Sequence, residues 1–533
     1  MRRMLAAWML MVVSAWLVGA PGAPAAAQDK PRSGGELVYS VLAAPPSFDA
    51  HQEATFAVLH TTAPFYSLLV KIDPFNYPKV VPDVAESWAI SQDGRVYTFK
   101  LRDGVKFHDG SALTSRDVKA SLDHVIFPPQ GVISPRKAVY TQVDAVEAPD
   151  PKTVRIRLKR AQPGMLTFLA SPWNYIYKAD LLGQDPNWYK THVMGTGPFR
   201  FSEFVPGSYI TGKKNPDYFV KGMPYLDSFR ALIIVDATAR VDAFRSGRVM
   251  ADFVGATPIR DQADLKQAMG SHIVIQRSSW ACDLLVAVNH EKKPFDDPRV
   301  RRALSLAIDR YTAAPVVNQF SEFGAVAGLN QPGSVFAFTK PELAKIPGYG
   351  YNVDKNRADA RQLLKEAGVP DGFSVVYSNR GITGPERVGV FLIDQWRKIG
   401  LNVTQRVLET AQEFAALRSG DFTIASDFSC DFVQEPDLTL TKYLSSDKSP
   451  INYSRYSDPV LDDLYNRQSQ ESDVDKRRQL VWEFERREMG EMAHQPVVLA
   501  QVRAVTLWDY VKGWKVTPSH YLNQDLSTVW LAK

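Results

Sequence analysis

A helix–glycine–strand unit that recurs three times between residues 360 and 425 limits what this chain can fold into more than any other feature. Ala360, Leu363, Leu364 and Ala367 share one helical face, closed by Gly368 and followed by a predicted strand from Phe373 to Tyr377. Val388, Phe391, Gln395 and Ile399 repeat the spacing, closed by Gly400, with a strand from Leu401 to Val407. Phe414 and Leu417 begin a third unit, closed by Gly420, with a strand from Phe422 to Ala425. Glycine after the last turn tolerates the left-handed backbone that ends many helices. Alternating helices and strands of this kind build an α/β lobe.

The flanking regions read differently. Tyr97, Phe99 and Leu101 alternate with Thr98, Lys100 and Arg102, the signature of a strand with one buried face. Asp93-Gly94, Asp103-Gly104 and Asp109-Gly110 supply turns around it. Thr114 and Asp117 have the spacing of a capping box for a helix that ends before Pro128. The run Leu232 to Val235 reads as a buried strand. Asp297 caps a helix that has Pro298 at its first position. Two more helices are expected over 459–468 and 473–492. The end of the chain, with Trp508, Trp514 and Trp530 among Val and Leu, is β-rich again and is expected to return to the first lobe. Two lobes joined by more than one crossing of the chain make a hinge.

Arg2 and Arg3, the apolar run Leu5 to Gly19, and Ala25-Ala26-Ala27 follow the order of a cleavable secretion signal over residues 1–27. The run is short of the ~20 residues that cross a bilayer. With Cys282 and Cys430 as the only cysteines, both far from the cleavage point, no lipid anchor is expected, and the mature protein is expected free in the periplasm. The two cysteines are too few for a disulfide framework, although an oxidising compartment allows them to pair. A net charge of +5, dispersed along 533 residues, gives no basis for binding nucleic acid.

Motifs of catalysis are missing from the sequence. Gly207 to Lys214 has the glycine spacing of a phosphate-binding loop, but Lys214 stands where magnesium coordination needs Ser or Thr. Neither a His-Glu-x-x-His pair nor a Gly-x-Ser-x-Gly elbow occurs. No cofactor and no metal is expected. His108 and Asp109 look chemical in isolation, but Asp-Gly turn chemistry explains them.

Several segments together resemble the family 5 solute-binding proteins of ABC transporters, the dipeptide-, oligopeptide- and nickel-binding group. They are Val81 to Trp88, Leu101 to Gly110, Gly195 to Phe199, Asn215 to Phe219, Pro294 to Leu304, Ala307 to Arg310, Leu363 to Gly368 and Gln395 to Leu401. The resemblance implies an α/β, two-lobed periplasmic binding protein (type II, cluster C) with an extra subdomain inserted in the first lobe. Residues 28–67, 195–279 and 497–533 would form lobe I, 68–194 the inserted subdomain and 280–496 lobe II. It implies a monomer, without enzymatic activity, that captures a peptide or other small ligand. The ligand would pass to an ABC permease and its ATPase subunits in the inner membrane.

The resemblance also points to site residues. Phe428-Ser429-Cys430-Asp431 with Glu435-Pro436 resembles the segment whose aspartate meets a peptide's amino group, which makes Asp431 the candidate and Asp427 the second choice. Ser378-Asn379-Arg380 resembles the place of an arginine that meets the ligand's carboxylate, so Arg380 would take the other end of a zwitterion. Phe428, Ser429 and Trp280 would line the pocket. A non-peptide ligand (an opine, a metal chelate, a cationic or sugar-derived compound) is the competing binding role. A periplasmic hydrolase is the alternative from another class.

Overall fold

A computed structural model describes residues 30–533, apart from Pro163, Ala256 and Ser472. The expected secretion signal, residues 1–27, lies outside the described residues. Among these, no helix is long and apolar enough to cross a membrane.

Two long antiparallel strands, Ile273–Val288 and Val497–Trp508, form the spine. Their register runs from Ile273 opposite Trp508 to Leu285 opposite Val497, with an irregularity between Ser279 and Asp283. On one side of that irregularity, Leu507 and Thr506 pair with Ala251 and Asp252, and the sheet continues through Glu36–Val41 and Ser228–Ile233 to the hairpin Tyr209–Lys214 and Phe199–Val205. On the other side, Cys282 to Val288 pair with Ile424–Cys430, and the sheet continues through Phe373–Arg380 to Leu401–Leu408. The two long strands therefore carry the chain across the molecule twice in opposite directions.

The helix–glycine–strand grammar folds into that second half. Helix Val353–Glu366 precedes strand Phe373–Arg380, helix Thr383–Arg397 precedes Leu401–Leu408, and helix Thr410–Ser419 precedes Ile424–Cys430. Phe373–Arg380 runs parallel to both of its neighbours, the pairing that helical crossovers produce. Gly368, Gly400 and Gly420 all have positive φ. Apolar residues from these helices and strands, including Trp396 and Val403, make one buried core. Arg310 fastens it from inside, donating to the carbonyls of Ser305, Gly348 and Val497.

The first half holds a separate four-stranded antiparallel sheet, in the order Ala85–Ile90, Val96–Leu101, Thr153–Leu158, Val143–Asp150. Helix Ser115–Ile126 packs beside it, and the Thr114–Asp117 capping box is present. His108 and Asp109 are structural. The His108 ring contacts the Gly197 carbonyl, and Asp109 accepts from the Ser111 amide and pairs with Lys178. Asp297 accepts from the Arg299 amide at the start of helix Pro298–Ala307.

Several expected strands have different bounds, and the one expected over 373–377 runs on to Arg380. The run from Leu232 to Val235 leaves the sheet at Ile233, and Val235 is 38% exposed. Asp236 takes over there as the cap of helix Ala237–Arg245, and Arg240 binds the freed carbonyls of Ile234 and Val235. The strand expected over 422–425 instead covers Ile424–Cys430, because it follows the long partner Ile273–Val288 to its bend.

Candidate functional site

Where the two halves meet, a cavity of about 160 Å³ is lined from both sides of the crossing strands. All five residues singled out in the sequence border it: Trp280, Arg380, Phe428, Ser429 and Asp431.

Strand ends place the charged ones. Asp431 follows the last residue of strand Ile424–Cys430, and its amide donates to the Ala281 carbonyl at 2.9 Å. One residue earlier, Cys430 stands opposite Cys282 and is joined to it by a disulfide. The Asp431 carboxylate accepts from Thr439 Oγ1 at 2.6 Å and has no ion-pair partner among the described residues. Burial pushes its pKa up to about 7, against the hydrogen bond from Thr439 and the nearby Lys442. A carboxyl so enclosed gains from an incoming cation.

The second-choice carboxylate is already taken. Asp427 forms a buried pair with Lys442, Nζ to Oδ2 at 2.7 Å. That internal ammonium occupies the place an amine ligand would need. Glu435 and Pro436 are structural too. Glu435 caps the helix Pro436–Thr439 and pairs with Arg477.

Arg380 ends strand Phe373–Arg380 and is buried. Its Nε donates to Thr410 Oγ1 and its Nη2 to Thr55 Oγ1, each at 3.0 Å. The guanidinium lies 4.9 Å from the Phe56 ring centroid and 5.4 Å from that of Phe414. Both partners are hydroxyls, and no ion pair forms among the described residues. Burial lowers the guanidinium to about 10, with Glu413 pulling the other way, so it stays charged at neutral pH. An arginine enclosed with two neutral acceptors retains a strong demand for an anion.

The aromatic wall is mixed in role. Phe428 is half-buried, its ring 6.5 Å from that of Phe323. Trp280 is buried, and its Nε1 donates to His520 Nδ1 at 2.7 Å, which leaves only its ring faces for a ligand. Ser429 borders the cavity between Phe428 and the disulfide.

Sequence reasoning missed the groups contributed from the first half and the C-terminus. Thr55 and Phe56 start helix Phe56–Thr62. Arg136 comes from the segment after the 115–126 helix, and Tyr521 from the last turns of the chain. Tyr521 is within electrostatic reach of Asp431, Arg136 and Arg380 together. No local pattern marks these residues, since each is brought to the cavity by a contact distant in sequence.

Comparisons with known proteins agree in kind. The family model described as bacterial extracellular solute-binding proteins, family 5 (middle), matches residues 79–450. The glutathione-binding protein GsiB of Salmonella typhi is 30% identical over 369 residues, covering 69% of this chain and 68% of that protein. The periplasmic binding protein DppA of Helicobacter pylori, solved with the peptide STSA, superposes with a TM-score of 0.82 at 25% identity, over 94% of this chain and 99% of that one. The binding protein AgaA of A. tumefacien R10, solved with agropinic acid, has a TM-score of 0.83 at 24% identity over the same shares, a likeness of fold.

Proposed function

The chain belongs to the bacterial extracellular solute-binding proteins of family 5, and we propose that it captures a peptide or peptide-like zwitterion for an ABC importer. The observation that carries this reading is the pair of unpaired, opposite charges on one cavity. Arg380 is free to accept a carboxylate and Asp431 an ammonium, with Phe428, Ser429 and Trp280 as walls. The glutathione-binding relatives and the peptide-bound DppA support a peptide-like cargo. The protein would act as an exported carrier without catalysis, handing its cargo to a membrane permease driven by separate ATPase subunits.

The geometry explains how capture would bias closure. A ligand shifts two conformations only by its differential affinity for them. Arg380 sits in the second half and already grips Thr55 of the first. A carboxylate bound there would be held from both sides only in the closed form. A micromolar dissociation constant corresponds to about −8 kcal/mol, enough to bias a gap of a few kcal/mol.

Mass spectrometry of the compound that co-purifies with the protein, followed by a thermal-shift panel, tests the reading. Ligands of the native state raise the melting temperature. Peptides should raise it and amine-blocked peptides should not. A shift confined to opines, sugars or metal chelates would overturn the peptide reading, and turnover of any probe would overturn the carrier reading.

A further inference from the structure

The cavity holds a second unpaired guanidinium that a simple zwitterion does not use. Arg136 lines the same space and lies 4.0 Å from the centroid of the Trp173 ring. Its Nη1 donates to the Ala50 carbonyl at 3.3 Å and its Nη2 to the Glu53 carbonyl at 2.6 Å. Those acceptors are neutral. The carboxylate of Glu53 is turned elsewhere, to Ser47 Oγ at 3.0 Å and Arg418 at 3.6 Å. Arg136 forms no ion pair among the described residues, and burial lowers it to about 10.

Arg136 and Arg380 approach one short stretch of chain from different parts of the molecule. Arg136 holds the Glu53 carbonyl, and Arg380 holds the Thr55 hydroxyl two residues on. The two acceptors lie within about 7 Å of chain, and both guanidiniums line the one cavity. The other charges do not cancel them. Lys442 and Asp427 neutralise one another, and Asp431 supplies one negative charge when ionised. Glu413, near Arg380, and Glu322, at the cavity edge, are each pushed up to about 7 by burial, so near neutral pH they are only partly ionised, as Asp431 is, and do not fully offset the two guanidiniums.

We infer that the captured solute carries two acidic groups and one ammonium, and that Arg136 receives the second acid. The class is an amino dicarboxylate of peptide size, with a γ-glutamyl peptide as one example. The inference rests on the proposed function and adds the specificity determinant within it. Arg380 takes one carboxylate, Asp431 the ammonium, and Arg136 with its Trp173 platform the other carboxylate. The planar fork stacked on an indole suits a carboxylate better than an ammonium stem would.

Calorimetric titration with S-methylglutathione and its two monoamides, one at each carboxylate, tests this. The methyl cap prevents exchange between the ligand thiol and the Cys282–Cys430 disulfide. Wild type should bind the diacid at least about tenfold more tightly than either monoamide, the range expected of a charge-assisted pair. In Arg136→Gln one monoamide should bind as well as the diacid, and in Arg380→Gln the other should. Arg136 also braces the loop at 50–53, so Arg136→Lys is the companion variant. It keeps the charge without the fork and should narrow the same preference while the ligand-free melting temperature holds. Equal affinity of wild type for the diacid and both monoamides would overturn the inference and leave the peptide reading standing. Failure of all three probes, with other peptides still raising the melting temperature, would overturn the inference alone, and failure of every peptide in that panel would overturn the peptide reading as well.

Discussion

Arg380 Nη2 and Thr55 Oγ1 lie 3.0 Å apart, a hydrogen bond from the last residue of a strand in the α/β half to the residue capping the first helix of the other half. It couples the ligand site to the relative position of the halves. Thr55→Val should remove this bond while keeping the bulk, and weaken ligand affinity by roughly three- to tenfold, as expected for one hydrogen bond to a charged group in a partly retained site. Arg380→Gln should lose more, about 30-fold or beyond, because the ligand's carboxylate contact goes with it. Titration calorimetry reads both. A Thr55→Val protein of unchanged affinity would show that the bond plays no part in closure.

The Asp431 carboxyl gives the site a pH dependence of defined sign. Its folded pKa of about 7 lies above the ordinary 3.8. The folded, ligand-free protein therefore holds a proton that the unfolded chain releases, and this contribution to stability falls as pH rises from about 4 to about 7. An ammonium ligand needs the ionised form, so affinity should rise with pH up to about 7 and then level off. Binding near pH 6 should release protons, visible as a dependence of the heat on the buffer's ionisation enthalpy. Glu322 and Glu413 titrate in the same range, which makes Asp431→Asn the discriminating variant. It should abolish amine binding and remove most of the proton release. Undiminished release in that variant would move the effect to the two glutamates.

The disulfide ties residues 148 apart in sequence and sits one residue before Asp431. Replacing both cysteines with Ser should cost about 2–5 kcal/mol of stability, since the cross-link restricts a long loop in the unfolded chain. Affinity should fall as well, because the Cys282–Cys430 register positions the Asp431 backbone against Ala281. Chemical denaturation with and without reductant measures the first effect and titration of the variant the second. A denaturation midpoint insensitive to reductant would contradict the link between cross-link and stability.

Much of the fold was legible because its signals are local. The three glycine-closed helices and their strands show in periodicity alone, and Asp297-Pro298 marks a helix start whose cap bond is present. The α/β half of the site was legible only through the family resemblance, since Arg380 ends its strand and Asp431 follows its own, beyond the strand ends at Tyr377 and Ala425 that pattern predicts. The partners that make those two residues informative were not. Thr55, Arg136, Thr439 and Tyr521 meet the cavity through tertiary contacts, and nothing in their neighbours' spacing records that. Asp427 shows the converse. Its sequence surroundings suit an amine-binding acid, and only the fold reveals Lys442 occupying it.

The segment Gly195-Thr196-Gly197-Pro198-Phe199 supports a last prediction, about packing rather than binding. A Cβ on Gly195 would stand 2.1 Å from the Phe65 carbonyl oxygen, and one on Gly197 2.4 Å from the Phe65 carbonyl carbon and the Tyr66 amide nitrogen. The obstacles are backbone atoms, which cannot swing aside as a side chain would. The contact is also bonded, since the Gly197 amide donates to the Phe65 carbonyl at 3.0 Å. Gly197→Ala should therefore separate these two segments and destabilise the protein by about 1–3 kcal/mol, the range of overpacked sites. Gly207 provides the control, because no atom lies within 4 Å of the Cβ it lacks. Its positive φ of 70° makes Asn the replacement of choice there, and Gly207→Asn should cost well under 1 kcal/mol. Equal melting temperatures for the two variants would show that the chain relaxes around Gly197 at no cost.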